Sequence, residues 1–309
     1  MTISVESTPG PEVTAVAADR AGQVPSSDSG PVGYGRKRWA EPLFYGILVL
    51  VAVVYLLPFV IQIGTAFKTD DDATNNALNP IPQTWTLAAF RQLAAVDFPR
   101  WFANTVIVTI FVTVGRVLFD SLAGYALSRL KFRGRSFLFA AIVATMAVPG
   151  VVLLIPKFLV LNQLGMYNSY SGMIVPLMAD AAGVFIMKQF LDSIPVEVEE
   201  AARIDGASTF RTFWSVVLPM ARPAVITLTV LAFQGSWNEL PHMIVSRSNS
   251  NLNTLTTGVA SLTTGQLGSG NRFPLKLAAA PVMTIPVAIV YLVFQRKLVR
   301  GANSGSVKG

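Results

Sequence analysis

The chain contains no cysteine and only one histidine, His242, in 309 residues. Without cysteine there is no disulfide framework and no thiolate metal site. A single histidine excludes a multi-histidine metal cluster and a paired-histidine proton relay within the chain. Charge is scarce as well. Asp, Glu, Lys and Arg make up 13% of the residues, about half the share of an ordinary soluble domain. A soluble domain of this length needs a polar surface around its core, and so few charges do not build one. Motifs of nucleotide and hydrolytic chemistry are missing too. No G-x-x-x-x-G-K-[ST] run occurs, so the backbone cradle and lysine that hold ATP phosphates are not in this polypeptide. No nucleophile elbow, zinc motif or general acid–base pair stands in it either.

What is present is apolar and comes in long blocks; 52% of residues are hydrophobic. Six blocks, near 43–67, 102–127, 136–160, 172–191, 222–246 and 276–297, each approach the about 20 apolar residues that cross a bilayer. The expected fold is an all-α integral membrane protein with six transmembrane helices. The fourth block holds Pro176, Asp180 and two glycines, which leaves it open to a break or a partly re-entrant course. Residues 1–38 are rich in Ser, Pro, Gly and Ala and read as a disordered tail, with no signal-peptide pattern. The membrane domain is expected over 39–300, and 301–309 as a second tail.

The formal net charge of +7 raises the question of nucleic acid, and the placement of the charges argues against it. They cluster between apolar blocks: Arg36, Lys37 and Arg38 before the first, Arg129, Lys131, Arg133 and Arg135 between the second and third, Arg296, Lys297 and Arg300 after the sixth. Short loops rich in Lys and Arg stay in the cytoplasm. Both termini are therefore expected inside, and the links at 68–101 and 247–275 outside.

One inward link is more than a hairpin. Residues 192–221 read DSIPVEVEEAARIDGASTFRTFWSVVLPMA. Pro195 suits a first helical turn, and Glu197, Glu199 and Glu200 place negative charge at the positive end of the helix dipole. Ala201 and Ala202 continue the helix, and Gly206 supplies a left-handed stop. Ser208 can cap a second helix carrying Phe210, Phe213, Trp214 and Val217, which Pro219 is expected to end. The result is a pair of short helices between the fourth and fifth spans, bent at Asp205-Gly206. Its small residues allow entry into a groove on another surface, with Glu200, Arg203 and Asp205 as rim charges. The plainer alternative is an amphipathic helix lying on lipid, but such helices are usually Lys-rich and this one is acidic.

The run Glu200-Ala201-Ala202, three residues, Gly206, nine residues, Val216, one residue, Leu218-Pro219 resembles the EAA loop of permeases in binding-protein-dependent ABC importers. The surrounding FIMKQFLDSIPVEVEEAARIDGAS and the ending QRKLVRGANSGSVKG are similar to the carbohydrate-uptake branch, and within it to the smaller permease of the maltose and glycerol-phosphate type. The likeness runs from about residue 40 to the C-terminus, with Val216 where the pattern often has Ile. The resemblance implies a transport subunit that carries no ATP site and sits in a bacterial cytoplasmic membrane. Its implied partners are a homologous second permease, two ATPase subunits that bind ATP and Mg, and an extracytoplasmic solute-binding protein. Residues 192–221 would be the coupling loop seated in an ATPase cleft, with Glu200 facing a basic residue there and Gly206 permitting the close turn. Arg300 to Gly309 would reach toward the ATPase pair, and the Asn- and Thr-rich link at 247–275 toward the binding protein. The implied solute is a sugar or oligosaccharide.

A few polar residues fall inside the apolar blocks. Arg116 and Asp120 lie four apart, on one helix face, and are expected to neutralise each other. Asp180 suits pathway lining or an interhelical hydrogen bond. Trp237, Asn238 and Glu239 combine an aromatic ring with amide and carboxylate groups, as a sugar site would, or form an interfacial belt; His242 is expected at headgroup level. The competing function is an ion-driven secondary transporter, which requires inverted repeats and midplane carboxylates. No convincing repeat is visible, and Asp180 is thin support.

Overall fold

The computed structural model describes residues 40–264 and 273–304, and among them every regular element is helical. The expected tail at 1–38 and the end at 305–309 lie outside the described residues. The chain forms two compact units, Met1–Tyr55 and Leu56–Gly309. In the first, the described residues belong to α1 (Ala40–Ala66), and its apolar side chains such as Leu43, Ile47 and Leu50 are exposed, as lipid contact requires.

The second unit starts with the rest of α1 and a built link. Two short helices, α2 (Asp70–Asn75) and α3 (Ala88–Ala95), lead to α4 (Phe98–Arg129). α4 has its only proline in the first turn, where a missing N–H costs nothing, and runs for 32 residues. α5 (Arg135–Thr145) and α6 (Leu154–Gln163) follow, joined through a 3-10 turn at Gly150–Leu153. Then come α7 (Tyr170–Ile174), a 3-10 turn at Val175–Leu177, and α8 (Ala181–Asp192). The helix pair of the long link is α9 (Glu197–Ile204) and α10 (Thr209–Thr212), continued by a π turn at Phe213–Val217 and α11 (Leu218–Met220). α12 (Arg222–Trp237), α13 (Pro241–Val245), α14 (Leu255–Thr264) and α15 (Phe273–Ser304) complete the order.

Among the described residues, four helical segments are long and apolar enough to cross a membrane: Pro42–Ala66, Phe98–Arg129, Tyr170–Asp192 and Phe273–Gln295. Two bent pairs raise the number to as many as six. Three expected spans therefore differ from plain helices: the fourth, as its Pro176 and Asp180 allowed, is interrupted between Leu177 and Ala181, and two others are bent or cut short. The third bends by 98° between Arg135–Thr145 and Gly150–Gln163, beside Pro149, whose missing N–H keeps the α5 ladder from running through. The fifth was expected to run to 246 but stops at Trp237. Pro241 interrupts donation there and opens α13 instead. At its other end α12 meets Thr209–Met220 at 82°. The last helix runs on to Ser304, four residues into the segment read as a tail.

α4 is the centre of the second unit, with α8 and α12 packed on it. Tyr125, Met187, Leu191, Phe213, Val217 and Leu228 form one buried cluster where these helices meet the π turn. A second cluster joins Trp101, Trp237, Leu255, Leu262 and Leu275. Contact between α4 and α8 is close because the facing positions are glycine. A Cβ on Gly124 would stand 2.7 Å from Met187 Cβ, and one on Gly183 would stand 2.0 Å from Asp120 Oδ2. Small residues at such crossings are how helices associate in lipid, where apolar burial drives little.

Candidate functional site

The long link folds as the expected pair of helices with a bend at Gly206. Gly206 has φ +80°, a conformation that costs other residues about 1–2 kcal/mol. Its N–H and that of Ala207 bond the carbonyls of Arg203 and Ala202 at 3.0 and 2.9 Å, closing α9. Ser208 accepts from the Arg211 N–H at 3.4 Å and so caps α10. Two details differ. Pro195 lies just ahead of α9, which opens at Glu197 with Val196 as its cap. Pro219 does not end the second helix, which continues to Met220. The π turn before it widens the ladder, so the N–H that proline lacks is absorbed, and the break falls at Ala221.

The outer and inner faces of this pair differ. Glu200, Ala201, Arg203, Asp205 and Gly206 are exposed and Ala202 is half-buried. Around the bend, Ile204 is 87% and Phe210 67% exposed, and a side chain on Gly206 would meet nothing within 4 Å. Leu218 and Pro219 are half-buried, Leu218 packing on the central cluster. The inner face holds a residue that was not singled out: Glu199, 2% exposed. Its Oε1 lies 2.8 Å from Arg129 Nε at the end of α4; the N–H is not aimed along this contact, so the attraction is coulombic. Tyr125 Oη donates to Glu199 Oε2 at 3.2 Å, and Arg203 approaches the same oxygen at 3.9 Å. Arg129 also donates to the carbonyls of Leu191 at 2.6 Å and Ile194 at 2.5 Å, and Ser128 donates to Asp192 at 2.6 Å. One arginine thus ties α4, the end of α8 and α9 together. The signal was available in the sequence: Val198 and Ala202, four apart, mark the inward side of α9, and Glu199 lies beside them.

The break in the fourth span is gripped from α4. Arg116 and Asp120 form no ion pair with each other. Arg116 Nε donates to the Leu177 carbonyl at 2.7 Å, the end of the upstream piece. Asp120, fully buried, accepts from the Asp180 N–H at 3.0 Å, the start of α8. The cation thus meets a carbonyl at the end of one piece and the anion an N–H at the start of the next, the charge placement that helix ends favour. The two charges still act on each other at a distance, but their hydrogen bonds form a clamp across the break. Asp180 is engaged through its backbone, with a half-buried side chain.

Trp237 is 2% exposed, stacks on Phe233 and donates from Nε1 to the Met283 carbonyl at 3.0 Å. It therefore joins α12 to α15 within the core and is not at a pathway surface. Asn238 is exposed and donates to the Gln234 carbonyl at 3.0 Å. Glu239 accepts from the His242 N–H at 2.9 Å and so caps α13. His242 is buried, with Nε2 3.1 Å from the Gly172 carbonyl near the start of the fourth span. The link at 247–275 is built in its described part. Asn104 Nδ2 donates to the carbonyls of Asn251 and Asn253, both at 2.8 Å, and Asn168 Oδ1 accepts from the N–H groups of Ser248 and Asn249. Its Asn and Thr residues satisfy turns and open α14. Residues 265–272 lie outside the described residues.

Comparison with known proteins covers most of this chain. A family described as the inner membrane component of binding-protein-dependent transport systems matches residues 120–304. The arabinooligosaccharides transport system permease protein of Halalkalibacterium halodurans is 31% identical over 88% of this chain and 100% of its own length. The polygalacturonan/rhamnogalacturonan transport system permease protein of Bacillus subtilis is 32% identical over 89% of this chain and 100% of its own. The crystal structure of a bacterial ABC transporter involved in import of the acidic polysaccharide alginate contains a chain that superposes with TM-score 0.73 and 25% identity, over 85% of this chain and 98% of that one.

Proposed function

Because this chain belongs to the family of binding-protein-dependent transport system inner membrane components, we propose that it is one permease half of an ATP-driven importer for an oligosaccharide or sugar conjugate. Relatives named for arabino-oligosaccharides, for polygalacturonan and for sulfoquinovosyl glycerol support a carbohydrate cargo. It is a multi-pass inner membrane protein, and we read six spans with both termini cytoplasmic. A second permease completes the pathway, a pair of separate ATPase subunits binds ATP and Mg, and an extracytoplasmic binding protein delivers the solute. The chain itself performs no catalysis. An ion-driven mechanism draws no support from the relatives.

The observation that carries this reading is the pairing of an exposed tip with a buried mount. Ile204 and Phe210 stand out on either side of Gly206, offering apolar surface to an ATPase cleft, with Glu200, Arg203 and Asp205 around it. Glu199 and Arg129 fasten the same element to α4 and α8. When the ATPase closes on ATP and moves the tip, the displacement reaches the spans through that mount. Packed cores respond to such a shift by switching as bodies.

Purification of the tagged chain from membranes, wild type beside Glu200→Lys, tests the reading. An ATPase and a second permease should accompany the wild type, and the ATPase should be lost from the variant. A wild-type chain that comes down alone and transports by itself would refute it.

A further inference from the structure

The connection between α4 and α5 carries Lys131, Arg133 and Arg135, and a cavity of about 730 Å³ opens among them, bounded by Leu127, Phe139 and Lys188 of α8. Lys188 is already neutralised, bonded to Asp192 at 2.5 Å and lying 4.6 Å from the centre of the Phe139 ring. The other three cations make no ion pair among the described residues. Arg135 donates one hydrogen bond, to the Leu130 carbonyl at 3.5 Å, and feels Asp192 only at longer range, which leaves Lys131 and Arg133 the least committed. Two aromatic rings line the same cavity with their surfaces outward, Phe132 at 43% and Phe137 at 80% exposed.

The position matters as much as the charge. The cavity lies where two apolar helices end and begin, at the level of the membrane surface. There, unpaired cations attract phosphate oxygens, and exposed rings suit the boundary between headgroups and acyl chains. A soluble anion would use the cations and leave both rings in water. We propose that this cavity binds the headgroup of an anionic phospholipid, its phosphate held by Lys131, Arg133 and Arg135 and its upper acyl chain resting on Phe132 and Phe137. The lipid belongs to the cytoplasmic leaflet, a clause that rests on the orientation proposed above.

Native mass spectrometry of the full chain in detergent, with the partners that co-purify, tests this. Phosphatidylglycerol and phosphatidylcholine are added separately, and inorganic phosphate is added as competitor. The wild type should retain phosphatidylglycerol and release phosphatidylcholine. Each cation near a membrane surface contributes about fivefold to anionic lipid binding, so Lys131→Gln/Arg133→Gln/Arg135→Gln should weaken retention on the order of a hundredfold. Phe137→Ser should weaken it several-fold, and millimolar phosphate should not compete. Equal retention by wild type and triple variant, at matched melting temperature in phosphatidylcholine, overturns the proposal. Full displacement by phosphate with no effect of Phe137→Ser overturns it in favour of a soluble anion. Loss of the ATPase from the triple variant, with lipid retained, overturns it in favour of a protein interface. If the triple variant fails to assemble, Arg133→Gln alone decides, with about a fivefold loss expected and no loss refuting. Co-purification of the ATPase with wild type is scored separately, so failure of the importer reading is distinguishable from failure of the lipid site.

Discussion

The connection from α4 to α5 and the connection from α8 to α12 handle charge in opposite ways. The first is a short basic turn in which Lys131, Arg133 and Arg135 make no close ion pair among the described residues, Arg135 alone feeling an acidic group, Asp192, at longer range. The second is a longer, acidic element that buries one carboxylate completely and exposes its neighbour. Arg129, the last residue of α4, belongs to the basic run by sequence and to the acidic element by structure. Charge composition alone does not distinguish a residue that holds the protein together from one that faces outward; burial and partners do. Glu199 and Glu200 make the point in adjacent positions.

The largest expected effect breaks that comparison at its joint. Arg129→Met would strand Glu199 in the interior and leave the carbonyls of Leu191 and Ile194 without their donor. Removing one member of a buried pair costs about 3–5 kcal/mol, which denaturant unfolding in detergent would read. Replacing both members, Arg129→Met with Glu199→Leu, should recover a good part of that loss, since exchanging a buried pair for apolar residues is often neutral. A single variant as stable as the wild type would mean that the mount is no firmer than the tip.

A middle-sized effect sharpens the comparison between tip and interior. Gly183→Ala drives a methyl group into Asp120 and Leu228, and overpacking of this kind costs about 1–3 kcal/mol. Gly206→Val meets open space and loses only the backbone conformation, about 1–2 kcal/mol. The two variants should nevertheless separate in function. Gly206→Val should leave the spans inserted and uncouple ATP hydrolysis from uptake, measured with reconstituted vesicles. Normal uptake by that variant would remove Gly206 from the coupling surface. Glu200→Lys completes the series, with a stability change within about 0.5 kcal/mol despite its expected effect on ATPase capture.

Much of this was legible in the sequence because membrane burial writes itself as length and apolarity. Four of the six expected spans correspond to long apolar helical segments, and the bend at Gly206 followed from one residue type at one position. What was not legible depends on which neighbours a residue meets. Arg116 and Asp120 look like an i,i+4 pair along their own helix, and only the packing of α4 on the broken fourth span shows each facing a different helix end. Trp237 beside Asn238 and Glu239 reads as a sugar platform until α15 is seen to cover the ring. Pro149 marks a possible break, but an isolated proline in an apolar block is compatible with a mild kink or a 98° turn. The geometry that decides is set by neighbouring helices. Glu199 is harder to read for a simpler reason: of the three glutamates at 197, 199 and 200, only the last belongs to the motif.

The smallest effect tests the same rule of burial and partners on the opposite link, at Asp72. Its carboxylate accepts from the Gln83 N–H at 2.9 Å and from Asn76 Nδ2 at 2.9 Å, beside Lys68, whose ammonium is spent on the carbonyls of Asn76 and Asn79. These bonds, the one from Gln83 first, hold the Asp72 carboxyl below its ordinary value of 3.8. A group with a lowered value in the folded protein stabilises it fully above its unfolded value, and that contribution fades as pH falls through the lower one. Protection of the Gln83 amide against hydrogen exchange, corrected for intrinsic rate, should therefore stay level from pH 7 to pH 5 and decline only below about 3.8. In Asp72→Asn the acid-dependent step should vanish. Loss of protection already between pH 7 and pH 5 would show that another group titrates in this link, and that the hydrogen bonds of Asp72 do not govern it.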